Sequence, residues 1–576
     1  MKKIKEVSDK KIVHLLQTCI DMRKIFFLLF IVSYNSLFAQ YLTNDSRKRI
    51  ESHVIYLSSD ELEGRLTGTD GEQKALDYIA SQWKKAKITQ AGVFGYSQSF
   101  DFTYRIEADA SNYVKTGNKE NSNPLFSDLS YYPVSGSGNG YVEAECIKVG
   151  YGIQTSDKRH DDYAGHVYLD GKVFIIDISD PDGGHSHSSY SDYTLQTRIS
   201  KAIEKGASAI IFINPSGKGE EPSQTLSTRV LSTSIPVVFS SNHTLFKEDG
   251  FLIKMNIKLN RIQRTGHNVI GFIDNKASHT IAIGAHYDHL GYGDDGSLYK
   301  GERAIHNGAD DNASGTALLI ELGRYLKKSG KRNFNYLLIA FSGEELGLLG
   351  SSSFTKSPLF SNYSINYMFN MDMVGRLDSS SRTLLVNGVG TSPFWQTNAT
   401  AIKAGNLHIK TTESGIGPSD HTSFYLKDIP VLHFFTGTHS DYHKPSDDWE
   451  KVNMDGIVDI GNYMIELINL SAVESKLAFT KTKEPENGKV SSFKVTLGVV
   501  PDYAYEGQGM RIDGVSEGKP AQIGGLKAGD IIIQIGEHKI KDIYAYMGSL
   551  SHFSKGQTTT IIYLRNGSEQ SSEITF

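Results

Sequence analysis

Apolar positions along the chain fall into blocks of different period. Over 45–85 they recur at helical spacing, Ile50, Val54, Ile55 and Leu57 first and then Ala75, Leu76, Ile79 and Trp83. This predicts two amphipathic helices joined by a polar, glycine-bearing loop at 59–68. Between about 132 and 259, short strand-like runs at 173–178, 209–213 and 235–239 alternate with glycine turns, with one helix near 199–206. From His267 onward strands and helices alternate. Apolar runs at 268–273, 280–285, 336–341, 365–371 and 430–435 are interleaved with helical patterns that follow Asn312, Leu346 and Asn453. Short, predominantly apolar runs suit strands covered on both faces, so the expected fold class is α/β, a mostly parallel mixed sheet sandwiched by helices. A polar Lys/Glu stretch at 476–489 then precedes a last block that begins near Phe493.

Composition narrows this picture modestly. A chain of 576 residues exceeds one core, so two to four domains are expected. Its 39% hydrophobic and 22% charged residues are those of a soluble globular protein, and a net charge of -5 with no basic cluster gives no basis for a nucleic-acid partner. Met22-Arg23-Lys24, the apolar run 25–33 and Leu37-Phe38-Ala39 read as a secretory signal peptide. Its start is expected at Met22, with residues 1–21 upstream of it and cleavage after Ala39. The apolar run is far short of the roughly 20 residues that span a bilayer, so the mature chain is expected to have no integral membrane segment and to be exported, periplasmic or extracellular. Cys19 precedes the cleavage point. Cys146 would then be alone, without an intramolecular disulfide, and its strand-like context reads as a small buried residue rather than a nucleophile. His185-Ser186-His187 reads as a solvated turn.

The chemistry lies where strands end. His286-Tyr287-Asp288-His289 follows an apolar run, so His286 and Asp288 leave one side of an extended segment, and a carboxylate two residues on can orient the imidazole. Asp311 opens an Ala/Leu-rich helix within Asp310-Asp311-Asn312-Ala313-Ser314-Gly315, where an N-cap is the simple reading. Glu344 and Glu345 close the run 336–341 as adjacent carboxylates that point different ways. Asp372 sits among apolar residues at the end of 365–371, a costly place for a charge without a cation or donor. His443 lies in the polar loop Ser440-Asp441-Tyr442-His443-Lys444-Pro445. Two imidazoles and three carboxylates, His286, Asp311, Glu345, Asp372 and His443, can hold a pair of zinc ions, with Glu344 left free as a base. Cobalt or manganese would also suit such donors.

These five segments resemble the two-zinc aminopeptidase family that includes secreted bacterial leucyl aminopeptidases and glutamate carboxypeptidase. The resemblance implies that His286 and Asp372 hold one Zn2+, that Glu345 and His443 hold the other, and that Asp311 bridges both. It further implies Glu344 as general base, Tyr442 as donor to the oxyanion and Asp288 as partner of His286. Ser419-Asp420-His421 and the early Glu63-Gly64-Arg65 recur in the same family, the first with a structural role near the site and the second with none assigned. Asp162-Tyr163-Ala164-Gly165, Gly171-Lys172-Val173 and Ile235-Pro236-Val237-Val238 resemble a protease-associated domain. Pro520-Ala521, Gly524-Gly525-Leu526 and Gly529-Asp530 resemble a PDZ domain, with Leu497-Gly498-Val499 at its carboxylate-binding loop. The domains expected are 1–39 (upstream residues and signal peptide), 41–131 and 261–475 (peptidase), 132–260 (protease-associated insert), 476–490 (linker) and 491–576 (PDZ-like). The implied function is an exported metallo-aminopeptidase acting on peptides, with a peptide or protein tail as a further partner at the PDZ groove. Carboxypeptidase or dipeptidase action on the same scaffold is the alternative. A receptor-like binding protein, similar to the transferrin receptor, would lack ligands, and the single-zinc glutamine cyclases would lack a second set.

Overall fold

The computed structural model describes residues 41–576 apart from 119–125, 158, 183–189, 191–192, 229, 231, 243–249, 403–405, 483–494, 502–507, 516–518, 542, 551 and 554–555. The signal-peptide pattern, Cys19 and His185-Ser186-His187 lie outside the described residues.

Strands β1 (Thr89–Gln90) and β2 (Ser97–Ala108) come first. Next are β3 (Tyr113–Asn118), β4 (Phe126–Asp128), β5 (Tyr132–Pro133), β6 (Gly140–Lys148), β7 (Val173–Asp177), β8 (Ala209–Ile213), β9 (Val237–Phe239) and β10 (Phe251–Ile257). These eight form one sheet in the order β4-β3-β10-β6-β7-β8-β9-β5. They are followed by β11 (Leu259–Ile273), β12 (Thr280–His286), β13 (Asn335–Phe341), β14 (Ile365–Met371), β15 (Thr383–Asn387), β16 (His408–Thr412) and β17 (Val431–Phe435). With β1 and β2 they build a nine-stranded sheet in the order β1-β11-β13-β12-β14-β17-β15-β16, with β2 paired to β11.

The centre of the larger sheet is parallel: β12 pairs in parallel with β13 and β14, and β14 with β17. Side chains alternate between two cores, as the two-residue period of a strand requires. In β13, Tyr336, Leu338 and Ala340 enter the core built with helices Asn44–Leu57, Asp70–Lys85, Gly315–Ser329 and Met454–Ser471. Leu337, Ile339 and Phe341 face the opposite core, which contains Phe354 and Phe424. Every residue of β12, β13 and β14 is buried, the physical reason their sequences are mostly apolar without a polar alternation.

Polar alternation conceals more of the structure. β11 runs fifteen residues instead of starting at 268, because its first half exposes Arg261, Gln263 and Thr265 in turn. It pairs with β2 from Leu259↔Ala108 to Val269↔Ser97, a long ribbon that brackets the inserted sheet. The insert differs from the expected 132–260 at its start, since β3 and β4 pair within its sheet. Their short, polar sequences carry no apolar run. Its helix spans Leu195–Glu204, earlier than the expected 199–206, because the Thr194 hydroxyl caps the Thr197 N–H at 3.3 Å. Cys146 is buried in β6.

The start of the expected linker is bound to the core of the nine-stranded sheet. Leu477 is buried there and its N–H donates to Asn366 Oδ1 at 2.8 Å, and the Thr482 N–H donates to the Tyr425 hydroxyl at 3.0 Å. The last block forms a sheet β18-β19-β20-β22-β23, from β18 (Val499–Pro501), β19 (Met510–Val515), β20 (Ile531–Ile535), β21 (His538–Lys539), β22 (Thr558–Arg565) and β23 (Ser568–Thr575), with β21 paired to β20. Its own core includes Leu497, Ile512, Leu526, Ile532 and Ile561.

Candidate metal centre

At the carboxyl ends of β12, β13, β14 and β17, where open α/β sheets place their sites, the five candidate ligands converge. His286 Nε2 lies 3.3 Å from Asp311 Oδ1 and 3.3 Å from Asp372 Oδ1. His443 Nε2 lies 3.2 Å from Asp311 Oδ2 and 3.2 Å from Glu345 Oε2. Asp311 thus presents one oxygen to each imidazole–carboxylate pair. These separations are long for hydrogen bonds from nitrogen, whose usual distance is about 2.9–3.0 Å. They match the edge of a tetrahedron about a cation held roughly 2.0–2.1 Å from each donor, about 3.3 Å. The donor chemistry and these separations suit divalent cations held between the paired donors. His286, Asp311 and Asp372 make one compact group; Asp311 and Glu345 make a second with His289.

Local backbone explains how a continuous chain reaches this arrangement. Asp311 is not a helix cap. It sits in the irregular turn Ala309–Ser314 with φ -104° and ψ 92°, its side chain directed across the site. Its neighbour Asn312 takes over the linking role: Oδ1 accepts from the N–H groups of Gly315 at 3.0 Å and Met373 at 3.1 Å, and Nδ2 donates to the Met371 carbonyl at 2.9 Å. The backbone on both sides of Asp372 is thereby tied to the Asp311 turn. Asp447 Oδ2 accepts from the Asp310 and Asp311 N–H groups at 2.9 and 3.1 Å. Met373 and His443 hold positive φ angles of 51° and 54°. Such conformations cost about 1–3 kcal/mol each and persist where surrounding contacts over-determine them.

Asp288 departs from the expected contact. The Nδ1–H of His286 points to the Asp288 backbone carbonyl at 3.2 Å, while the nearer carboxylate oxygen stands 3.7 Å away. That carboxylate instead accepts from the Glu344 N–H at 3.2 Å and the Thr67 hydroxyl at 3.1 Å, so it fixes the segment that carries Glu344 and Glu345. His443 is oriented by its other nitrogen, whose Nδ1–H donates to the Gly296 carbonyl at 2.9 Å and leaves Nε2 to face the carboxylates. Tyr442 stacks on the His443 ring at 3.9 Å between centroids.

Glu63-Gly64-Arg65 acquires a physical role. Arg65 is buried, and its guanidinium donates to the carbonyls of Tyr287 at 2.7 Å, Asn307 at 2.7 Å, Gly308 at 3.0 Å and also Leu57. It clamps the loop after His286 to the loop before Asp311. Gly64, with φ +69°, is required because a Cβ there would stand 2.5 Å from the Gly291 carbonyl oxygen. Arg65, Asn312, Asp447 and His289 carry roles that no spacing in the sequence marks, although all lie within or beside the segments that hold the candidate ligands. Ser419-Asp420-His421 packs behind the site. The Ser419 hydroxyl accepts from Asn370 at 2.8 Å, and His421 stacks on His433 at 4.5 Å.

The electrostatics follow from two imidazoles among buried carboxylates. Burial opposes the charge on His286, yet Asp372 and Glu344 outweigh it and hold the imidazolium well above its ordinary range. His443 behaves alike, against burial, through Glu345 and Asp311. Burial likewise opposes ionisation of Glu345, but His443 and His289 bring its carboxyl down to about 2. Glu344 goes the other way. Burial, with Asp372, Asp420 and Glu345 nearby, pushes its carboxyl well above the ordinary value against the pull of His286. Burial also raises Asp420 to about 7. The adjacent glutamates are thus split into an ionised ligand candidate and a group able to hold a proton.

A family model described as Peptidase family M28 matches residues 268–468, a span that contains all five candidate ligands with Asp288, Glu344 and Tyr442. A PDZ domain model matches residues 479–576. The chain is 27% identical over 457 residues to aminopeptidase YwaD of Bacillus subtilis, covering 75% of this chain and 85% of that protein. Among solved structures, an aminopeptidase from Aneurinibacillus sp. strain AM-1 is similar at 23% identity and a TM-score of 0.43, over 77% of this chain and 98% of that one. A zinc aminopeptidase from Bacillus subtilis is similar at 24% identity and a TM-score of 0.42, over 76% and 96%.

Proposed function

The chain is a Peptidase family M28 protein with a C-terminal PDZ domain, and from that premise we propose that it is a zinc aminopeptidase that releases N-terminal residues from peptides. The observation that carries this reading is the division of Asp311 between two imidazole–carboxylate pairs, with Glu344 beside them. His286 and Asp372 would hold one zinc ion, Glu345 and His443 the other, and Asp311 one oxygen of each set. Bound there, the two ions would supply Lewis acidity, polarising a peptide carbonyl and acidifying water.

The protein's own groups supply the rest. Glu344, whose proton affinity is raised by burial and by its acidic neighbours, accepts a proton from the attacking water and returns it to the leaving amine. Asp288 holds the Glu344 backbone in place for that exchange. Tyr442, fixed against the His443 ring, donates to the oxyanion as it forms. The relative named an aminopeptidase supports the N-terminal direction of cleavage.

The inserted sheet is assigned to a protease-associated domain on the glycine-turn and strand elements of its sequence. Export rests on the N-terminal sequence pattern, and among the described residues no helix is long and apolar enough to cross a membrane. β18 lies at the edge of its sheet, which supports capture of an extended peptide by strand addition.

The test offers one peptide library with free and with N-acetylated termini and reads the products by mass. Stepwise loss of N-terminal residues from the free peptides alone is expected. Equal cleavage of the blocked copies would overturn the aminopeptidase reading.

A further inference from the structure

We propose that His289 is a positioning residue of the metal centre: its Nδ1–H engages one oxygen of Glu345 and so commits the other to the ion shared with His443 and Asp311. This rests on the two-ion reading above and adds to it a residue outside the expected ligand set.

The geometry separates a hydrogen bond from ligation. His289 Nδ1 is 2.7 Å from Glu345 Oε1, whereas the four ligand-to-ligand contacts of the centre are 3.2–3.3 Å. A charge-assisted N–H···O bond has the shorter distance, and a cation held by both atoms in a tetrahedral site would need about 3.3 Å. Asp311 Oδ2 lies 3.8 Å from the same nitrogen, outside hydrogen-bond reach. With Oε1 engaged, Oε2 is the oxygen left facing His443 Nε2 at 3.2 Å. Glu345 is thereby made a one-oxygen ligand of fixed orientation.

The ring is built to stay in that position. His289 is fully buried, and its backbone N–H donates to the Arg65 carbonyl at 3.3 Å. The ring lies against Gly308, where a Cβ would come within 2.5 Å of His289 Cδ2, and it packs edge to face with the His443 ring at 5.8 Å between centroids. Nε2 has no hydrogen-bond partner among the described residues. Among the described residues the one hydrogen bond of the ring is therefore that to Glu345, a poor return for burying an imidazole unless that bond matters.

The test titrates metal-stripped full-length protein with zinc against a chromophoric chelator. It compares wild type, His289→Ala, His289→Asn and His289→Gln, with the melting temperature of each metal-free protein measured in parallel. An asparagine amide can take the place of Nδ1, and a glutamine amide the place of Nε2. Expected is a loss of about 10–100-fold in affinity for one of two zinc ions in the alanine and glutamine variants, with most of it recovered in the asparagine variant. Wild-type affinity in His289→Ala would overturn the proposal. So would failure of His289→Asn to recover zinc while its metal-free melting stays normal, which would make His289 a direct ligand. Uptake of fewer than two zinc ions by the wild type would instead overturn the two-ion reading itself.

Discussion

Glu344 and Glu345 are adjacent in sequence and opposite in chemistry, and the difference comes from what each faces. Glu345 meets two imidazoles and one carboxylate, Asp311, while Glu344 meets three carboxyl groups and one imidazole. Replacing Glu344 with Gln should leave zinc content and melting temperature close to wild type and lower kcat by roughly 10²–10⁴-fold; wild-type-like turnover would remove it as the base. Arg65 makes the complementary case. Arg65→Ala leaves the Tyr287 and Asn307 carbonyls without their donor, while Gly308 keeps the Ala313 N–H, which should cost about 3 kcal/mol. Lysine should not restore it, because an ammonium lacks the planar fork that reaches four carbonyls. Denaturant midpoints of the three proteins would check this. The candidate ligands were legible because each is a chemically distinctive residue next to an apolar run. Arg65, Asn312 and Asp447 were not, because their work is to bind backbone amides and carbonyls, and no spacing rule tells which loop a polar side chain will meet.

At the scale of elements, the buried strands were readable and the exposed ones were not. β12, β13 and β14 are buried on both faces, so their sequences alone mark them. β3, β4 and the first half of β11 carry polar residues, and their pairing depends on partners far along the chain. The same dependence governs the segment after the last peptidase helix. A chain ending at Thr482 should melt like the intact peptidase unit, whereas one ending at Lys476 loses Leu477 from the core and the bonds to Asn366 and Tyr425 and should melt several degrees lower. The first helix carries a pH-dependent element. His53 is buried against Tyr78, its Nδ1 2.8 Å from the hydroxyl, and burial lowers its pKa from 6.5 to about 4. Below pH 6.5 the unfolded chain takes up this proton and the folded chain does not, so stability falls as pH drops from about 6.5 to 4. The loss is of order 3 kcal/mol across that window. Urea midpoints of wild type and His53→Gln at pH 7 and pH 4.5 should show a smaller acid penalty in the variant.

Over the whole molecule, the described residues form three sheets, each packed against apolar clusters of its own, and the candidate metal centre belongs to the largest. Its ligand candidates come from three strand ends and two loops spread from His286 to His443, so an ion bound there ties together segments far apart in the chain. Metal that binds only the folded state stabilises it by about 2.7 kcal/mol at a free concentration one hundred times Kd. Chelation should therefore lower the melting temperature of the peptidase unit, and added zinc should return it. The decisive measurement is native mass spectrometry of the zinc-loaded protein beside its Asp311→Ala variant. Two zinc ions on the wild type and a loss of both from the variant are predicted, because Asp311 gives one oxygen to each set. A wild type that carries none or one, or a variant that keeps both, would contradict a two-metal centre organised on that carboxylate.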